Sequence, residues 1–186
     1  MNLIRHSQKS DDACASKFNA QRFQAFDLVE LFNQQFGADY NTVLVAGAEE
    51  PLYQPASQTS PQHIIYFRYD YFASALHEVA HWCIAGEQRR KLTDYGYWYA
   101  PDGRDMKQQA AFESVEVKPQ ALEMAFSLAC NKNFRVSIDN LSSDASNDEA
   151  FASAVLLQFE TYKRIGFPFR AQLFLNVLHD FYETKA

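Results

Sequence analysis

Cysteine is scarce in this chain and badly placed for any of its common uses. Cys14, Cys83 and Cys130 are odd in number, widely spaced and free of any Cys-x-x-Cys pair, which argues against a disulfide framework and reads as free thiols of a reducing compartment. Long hydrophobic runs are missing too, so no segment approaches transmembrane length. The opening Met1-Asn2-Leu3-Ile4-Arg5-His6-Ser7-Gln8-Lys9 turns polar before a signal-peptide core can form, and the expected location is the cytoplasm. Positive charge is in deficit: 17 Lys and Arg face 23 Asp and Glu, a net charge of −6 with a pI near 5.3. A surface of that sign excludes nucleic acid as a direct partner, because binding phosphates takes a basic face. What the chain does have is apolar material. Hydrophobic residues make up 47% and aromatics 15% of its 186 residues, which argues against disorder and for one domain over 1–186. Residues 1–14 are polar at first and are expected to be loosely held.

Histidine is also sparse, yet two of the five fall in Leu76-His77-Glu78-Val79-Ala80-His81-Trp82. Residues four apart on a helix lie one above the other, so His77 and His81 can offer two imidazole nitrogens to one metal ion. Glu78 is placed to touch a metal-bound water or to orient a ligand. Phe72, Leu76, Val79 and Cys83 form an apolar stripe beside the histidines, and Gly86 is a plausible stop. Two histidines on a buried helix can equally be hydrogen-bonded core residues. Their ligand spacing, and a glutamate between them that burial leaves in need of a partner, favour the metal.

The rest of the chain reads as helices around a small sheet. The periodicity predicts a helix from about Ala15 to Phe36 capped by Gly37, then a buried strand at 42–46 ending at Gly47. Residues 49–61 hold three prolines and read as a loop. A second strand, His63 to Arg68, feeds the motif helix and can wall a cleft; His63 and Asp70 more often serve surface or structural roles. Residues 88–91 are a basic run at a solvated helix end. Asp94 to Asp105 is an aromatic loop, either a lid over the metal or a loop anchored by its own packing. Residues 105–129 look helical, broken or kinked near Pro119. Glu113, Glu116, Gln120 and Glu123 share one stripe of that helix, usually the mark of a solvated face, but also where a missing third ligand would lie. Residues 134–139 alternate like a strand. Two further helices follow, separated by Gly166, and His179 reads as structural.

Two chemistries remain open at this point. Zinc with Glu78 as general base would hydrolyse peptides. The longer His-Glu-x-x-His-x-x-Gly-x-x-His pattern fails, with Ile84 and Glu87 at its later positions. Two histidines and a carboxylate also form the open site of non-haem iron(II) oxygenases.

Four blocks taken together resemble the bacterial elongation factor P hydroxylase family. They are Tyr66-Phe67-Arg68-Tyr69-Asp70-Tyr71, the Leu76–Trp82 motif, the aromatic 94–103 segment, and Phe112-Glu113-Ser114-Val115-Glu116-Val117-Lys118-Pro119-Gln120-Ala121-Leu122-Glu123. The resemblance implies a monooxygenase that hydroxylates a lysine of translation elongation factor P after that lysine has been β-lysylated. It implies an α+β fold, mostly helical, with a small β-sheet beside a zincin-like metal helix rather than a double-stranded β-helix barrel. It implies iron(II), with zinc or another divalent ion as a stand-in, and molecular oxygen; 2-oxoglutarate dependence stays open. The ligands under this reading are His77, His81 and Glu116, with Glu113 as the alternative third ligand and Glu123 after it. Glu78 becomes a ligand- or water-orienting group that moves protons, and Tyr97, Trp98 and Arg104 become contacts to the substrate protein. A binding protein that keeps the metal without the chemistry is the remaining alternative.

Overall fold

The structure, a computed structural model, describes residues 23–94, 106–137 and 145–184. Helix α1 spans Ala25–Tyr40 and buries Leu28, Phe32 and Phe36 completely, one residue per turn along one face. It runs straight through Gly37, the expected cap, and ends at Asn41, whose φ of 48° takes the left-handed position. The extra turn carries Tyr40 to an edge-on contact with Trp82 at 5.4 Å, and Asn tolerates the turn backbone while its side chain donates to the Pro61 carbonyl. Tertiary packing outweighs the local preference of glycine for helix ends.

Three strands follow: β1 (Thr42–Ala48), β2 (Leu52–Gln54) and β3 (His63–Arg68), in the order β1-β3-β2. β3 lies parallel to β1 and antiparallel to β2. Strand β2 corrects the loop expected at 49–61. Its flanking prolines, Pro51 and Pro55, stand outside the three paired residues, where no ladder N–H is needed, and an edge strand this short tolerates them. Ile65 and Phe67 alternate into the core while Arg68 stays exposed. Asn33 of α1 clamps the free side of β1, accepting the Leu44 N–H at 2.7 Å and donating to its carbonyl at 3.3 Å.

Helix α2 (Phe72–Ile84) carries the motif, and a short 3-10 turn at Arg89–Lys91 follows it. Helices α3 (Met106–Ala129), α4 (Ala145–Ile165) and α5 (Phe169–Phe181) complete the described chain. α3 is continuous through Pro119, so of the expected break or kink the break does not occur. The proline has no N–H to give to Val115, and burial of Pro119, Ala121 and Leu122 holds the helix together across that lost bond. The strand expected at 134–139 is not one where it is described: residues 134–137 join no sheet. Instead Gln120 of α3 takes up both backbone groups of Ser137, at 2.6 and 3.0 Å, as a neighbouring strand would. α4 stops at Gly166, with φ 98°, as its glycine predicts.

Trp82 is the hub of the core. Its ring meets Phe32 at 5.1 Å and Phe36 at 4.9 Å, and the Arg170 guanidinium covers it at 4.7 Å. Trp82 follows His81 directly, so locking this ring into the core sets the rotation of α2 and turns its histidine face elsewhere. The fold is therefore α+β, mostly helical beside a small sheet, with no barrel among the described residues. Cys83 and Cys130 are free and buried. No helix among the described residues is long and apolar enough to cross a membrane.

Candidate metal centre

α2 packs against α3, and their facing sides carry the charged groups. Within the apolar frame of Leu76, Val79, Ala80 and Cys83, the histidines emerge only partly buried, with side-chain exposures of 25% for His77 and 29% for His81. Their Nε2 atoms point at each other across 3.0 Å. Glu116 of α3 meets them, with Oε1 at 3.2 Å from His81 Nε2 and Oε2 at 3.5 Å from His77 Nε2. One ligand atom from each of the three residues lies within 4.8 Å of the other two.

The acidic stripe of α3 is thus an interior stripe. Glu116, Gln120 and Glu123 are all buried, at 4%, 1% and 8% exposure. Spacing alone cannot separate this from a solvated face; the signal lay in the apolar residues on either side, Ala121, Leu122 and Phe126, which leave little of α3 for water. Glu123 holds His77 from behind, its Oε2 accepting from Nδ1 at 2.9 Å. That bond fixes the ring so that Nε2 faces Glu116 and His81, the carboxylate–histidine support common behind metal ligands. Glu113 is elsewhere, accepting from Gln109 Nε2 at 2.9 Å.

Charge and burial compete at each group. Burial pulls the His77 imidazole down, but the bond to Glu123 and the charges of Glu123, Glu116 and Glu78 outweigh it and raise its pKa to about 10. Burial pushes Glu116 up, and the bond to His81 with the charges of both histidines overcomes that, holding it at about 2. Glu78 is raised, first by burial and then by Glu116 and Asp94 against the opposing pull of the histidines.

A cavity of 270 Å³ opens beside this cluster, lined by His81 and Glu78 on one side and by Tyr53, Ile65, Val115 and Pro119 among others. Strands β2 and β3 thus supply one wall of the cleft. His63 does not reach it: its Nδ1 accepts the Ala56 N–H at 2.9 Å and sits 3.1 Å from the Tyr53 hydroxyl. Asp70 lies on an exposed turn. His179 bonds Thr184, which in turn donates to the Ala129 carbonyl, a structural tie. Tyr97, Trp98 and Arg104 lie outside the described residues.

The donor set fits a metal ion. Glu116 Oε2 is buried and, among the described residues, has no hydrogen-bond partner beyond the 3.5 Å approach of His77 Nε2, a loss that such a group normally recovers from a protein donor, a water or a cation. Two imidazole nitrogens converging beside it supply nitrogen and oxygen donors suited to iron, zinc and similar divalent ions.

A helical fold with two histidines and a glutamate gathered from two helices beside a cavity gives the class: a candidate metal centre of the two-histidine, one-carboxylate type. The particular family follows from comparison. The profile of the elongation factor P hydroxylase family (EpmC) matches residues 31–186. A protein of Haemophilus influenzae named elongation factor P lysine hydroxylase is 46% identical over 159 residues, covering 86% of this chain and 89% of that relative. The chain belongs to the elongation factor P hydroxylase family.

Proposed function

We propose that this protein hydroxylates a lysine side chain of elongation factor P at an iron(II) held by His77, His81 and Glu116. Family membership supports the reaction and the protein substrate, and the convergence of the three ligand atoms within 4.8 Å is the observation that supports the centre. Iron(II) bound by two histidines and a carboxylate supplies dioxygen activation, which inserting an oxygen atom into a C–H bond requires.

The chain's own residues do the rest. Glu123 accepts from Nδ1 of His77 and keeps Nε2 turned toward the metal position. His81 approaches from one helical turn further on, and Glu116 is brought by α3 to face both. These three residues would hold the ion, and the cavity lined by His81 and Glu78 lies beside them. Burial favours the protonated form of Glu78, which makes its carboxyl the group beside the ligands able to hold and hand over a proton. Ile65, Val115 and Pro119 give that cavity apolar walls for the aliphatic stem of a lysine. We place the protein in the cytoplasm with the translation machinery, as one domain, with β-lysylated elongation factor P as the acceptor and Tyr97, Trp98 and Arg104 as contacts to it.

The same donors suit zinc, but family membership does not favour the peptidase alternative. Purified protein reconstituted anaerobically with iron(II) tests the reading. Addition of air, a reductant and β-lysylated elongation factor P should give product carrying one more oxygen, and zinc-loaded protein should give none. Cleavage of unstructured protein by the zinc form, abolished in Glu78→Gln, would reverse the assignment.

A further inference from the structure

The sequence block that precedes the metal helix ends in four residues that neither the core nor the centre uses. Arg68, Tyr69, Asp70 and Tyr71 are all exposed, Tyr69 by 40% and Tyr71 by 54%. The two tyrosine rings meet edge to face at 5.4 Å, and the Arg68 guanidinium lies 5.5 Å from the centre of the Tyr69 ring.

This turn is held firmly in an unfavourable shape. Tyr69 has a φ of 47°, a left-handed backbone that bulky side chains seldom adopt. Its N–H donates to the Ala48 carbonyl at 2.8 Å and its carbonyl accepts the Gly47 N–H at 2.7 Å, where the register of β1 against β3 shifts. The Tyr71 N–H donates to the Arg68 carbonyl at 3.1 Å, and the Ser74 hydroxyl accepts the Arg68 N–H at 3.0 Å. Strain maintained by so many bonds ordinarily serves packing or function. Here it presents two large rings to water, so packing is not the reason.

The turn also stands at the head of the ligand face of α2. Ala73, His77 and His81 follow at four-residue steps along that face, and Ala73 is exposed. Its methyl group leaves no bulk on this helix between the turn and His77, over roughly 9 Å of helix rise from Tyr71.

We propose that the Arg68–Tyr71 turn is a docking platform for the segment of elongation factor P that carries the target lysine. Tyrosine rings hold aliphatic side chains, Arg68 already covers one face of Tyr69, and Asp70, between the two tyrosines in sequence, adds an exposed carboxylate for a cationic side chain. A lysine-bearing segment also suits a chain of net charge −6, whereas a second copy of this chain would bring the same negative charge. The platform rests on the hydroxylase reading above and adds where the substrate protein is gripped.

The test compares iron-loaded wild type with a Tyr69→Gly/Tyr71→Ala variant, in which glycine keeps the left-handed backbone without strain. Binding of β-lysylated, unhydroxylated elongation factor P is measured by calorimetry, together with KM, kcat and iron affinity. The expected result is a rise of tenfold or more in Kd and KM, with the loss falling on KM rather than kcat and iron affinity unmoved. Tyr71→Ser guards against misfolding, since serine is a better residue than tyrosine at the N-cap of α2, where Tyr71 stands; its KM rises as well. Unchanged Kd and KM in the variants while the wild type turns over would overturn the platform alone. Wild type that neither binds nor hydroxylates elongation factor P overturns the hydroxylase reading and the platform with it.

Discussion

Glu123 shows how one residue beside the candidate ligands can orient one of them, His77. It was visible in the sequence only as the last member of an acidic stripe, and the histidine it would reach lies 46 positions away. Spacing along one helix cannot name a partner on another, so the stripe was legible while its division into ligand and support was not. Removing such a support lowers metal affinity by about 10- to 100-fold, and Glu123→Ala is expected to do so in a chelator competition while Glu123→Gln loses less. pH acts on the same pair of groups. The pKa of His77 is raised from 6.5 to about 10, so its stabilising contribution is complete below pH 6.5 and disappears as pH climbs toward 10. That of Glu116 is lowered from 4.5 to about 2, so its contribution is complete above pH 4.5 and disappears as pH falls toward 2. The cluster therefore stabilises metal-free protein most between those limits. Metal must displace the His77 proton, so affinity should strengthen as pH rises above neutrality. Urea midpoints of metal-free protein across pH, beside His77→Ala, check the first statement; metal titrations at several pH values check the second.

At the scale of elements, periodicity identified what packing reinforces. The motif helix, the two strands at 42–46 and 63–68 and the stop at Gly166 all follow from apolar spacing and turn residues, whereas the parallel pairing of those strands does not. The departures have long-range causes. α1 overruns Gly37 because Tyr40 finds Trp82, β2 forms because β3 offers it an edge, and Ser137 of the 134–137 segment pairs with a glutamine side chain instead of a sheet. The end of α2 carries a further tie that no local pattern announces. Arg170 of α5 donates from Nη2 to the carbonyls of Trp82, Cys83 and Ala85 at 2.8, 3.0 and 2.6 Å, closing the helix one turn beyond His81. A cation at a helix C-terminus also complements its dipole. Losing charged hydrogen bonds worth about 1.5–3 kcal/mol, together with the ring contact, predicts a loss of about 2–4 kcal/mol for Arg170→Ala. Denaturant unfolding measures it, and Arg170→Lys should fall between, since one ammonium cannot reproduce the planar cover over Trp82.

For the molecule as a whole, the centre joins parts that are distant in sequence. Metal bound by α2 and α3 together should stabilise the native state, by about 2.7 kcal/mol when the free ion is at 100 times its Kd. In a protein of this size that raises Tm by roughly 5–10 °C, at about 2–4 °C per kcal/mol. The shift should vanish in His77→Ala and Glu116→Ala. A Tm that no divalent ion moves would contradict a centre spanning the two helices.

The central claim is that this chain places one oxygen on a lysine of elongation factor P through the His77–His81–Glu116 centre. The most direct test is the intact mass of elongation factor P from cells lacking this protein, complemented with wild type or with His77→Ala. Restoration of the additional oxygen on the lysine by the wild type alone is the predicted result. Equal masses in both complemented strains would contradict the account.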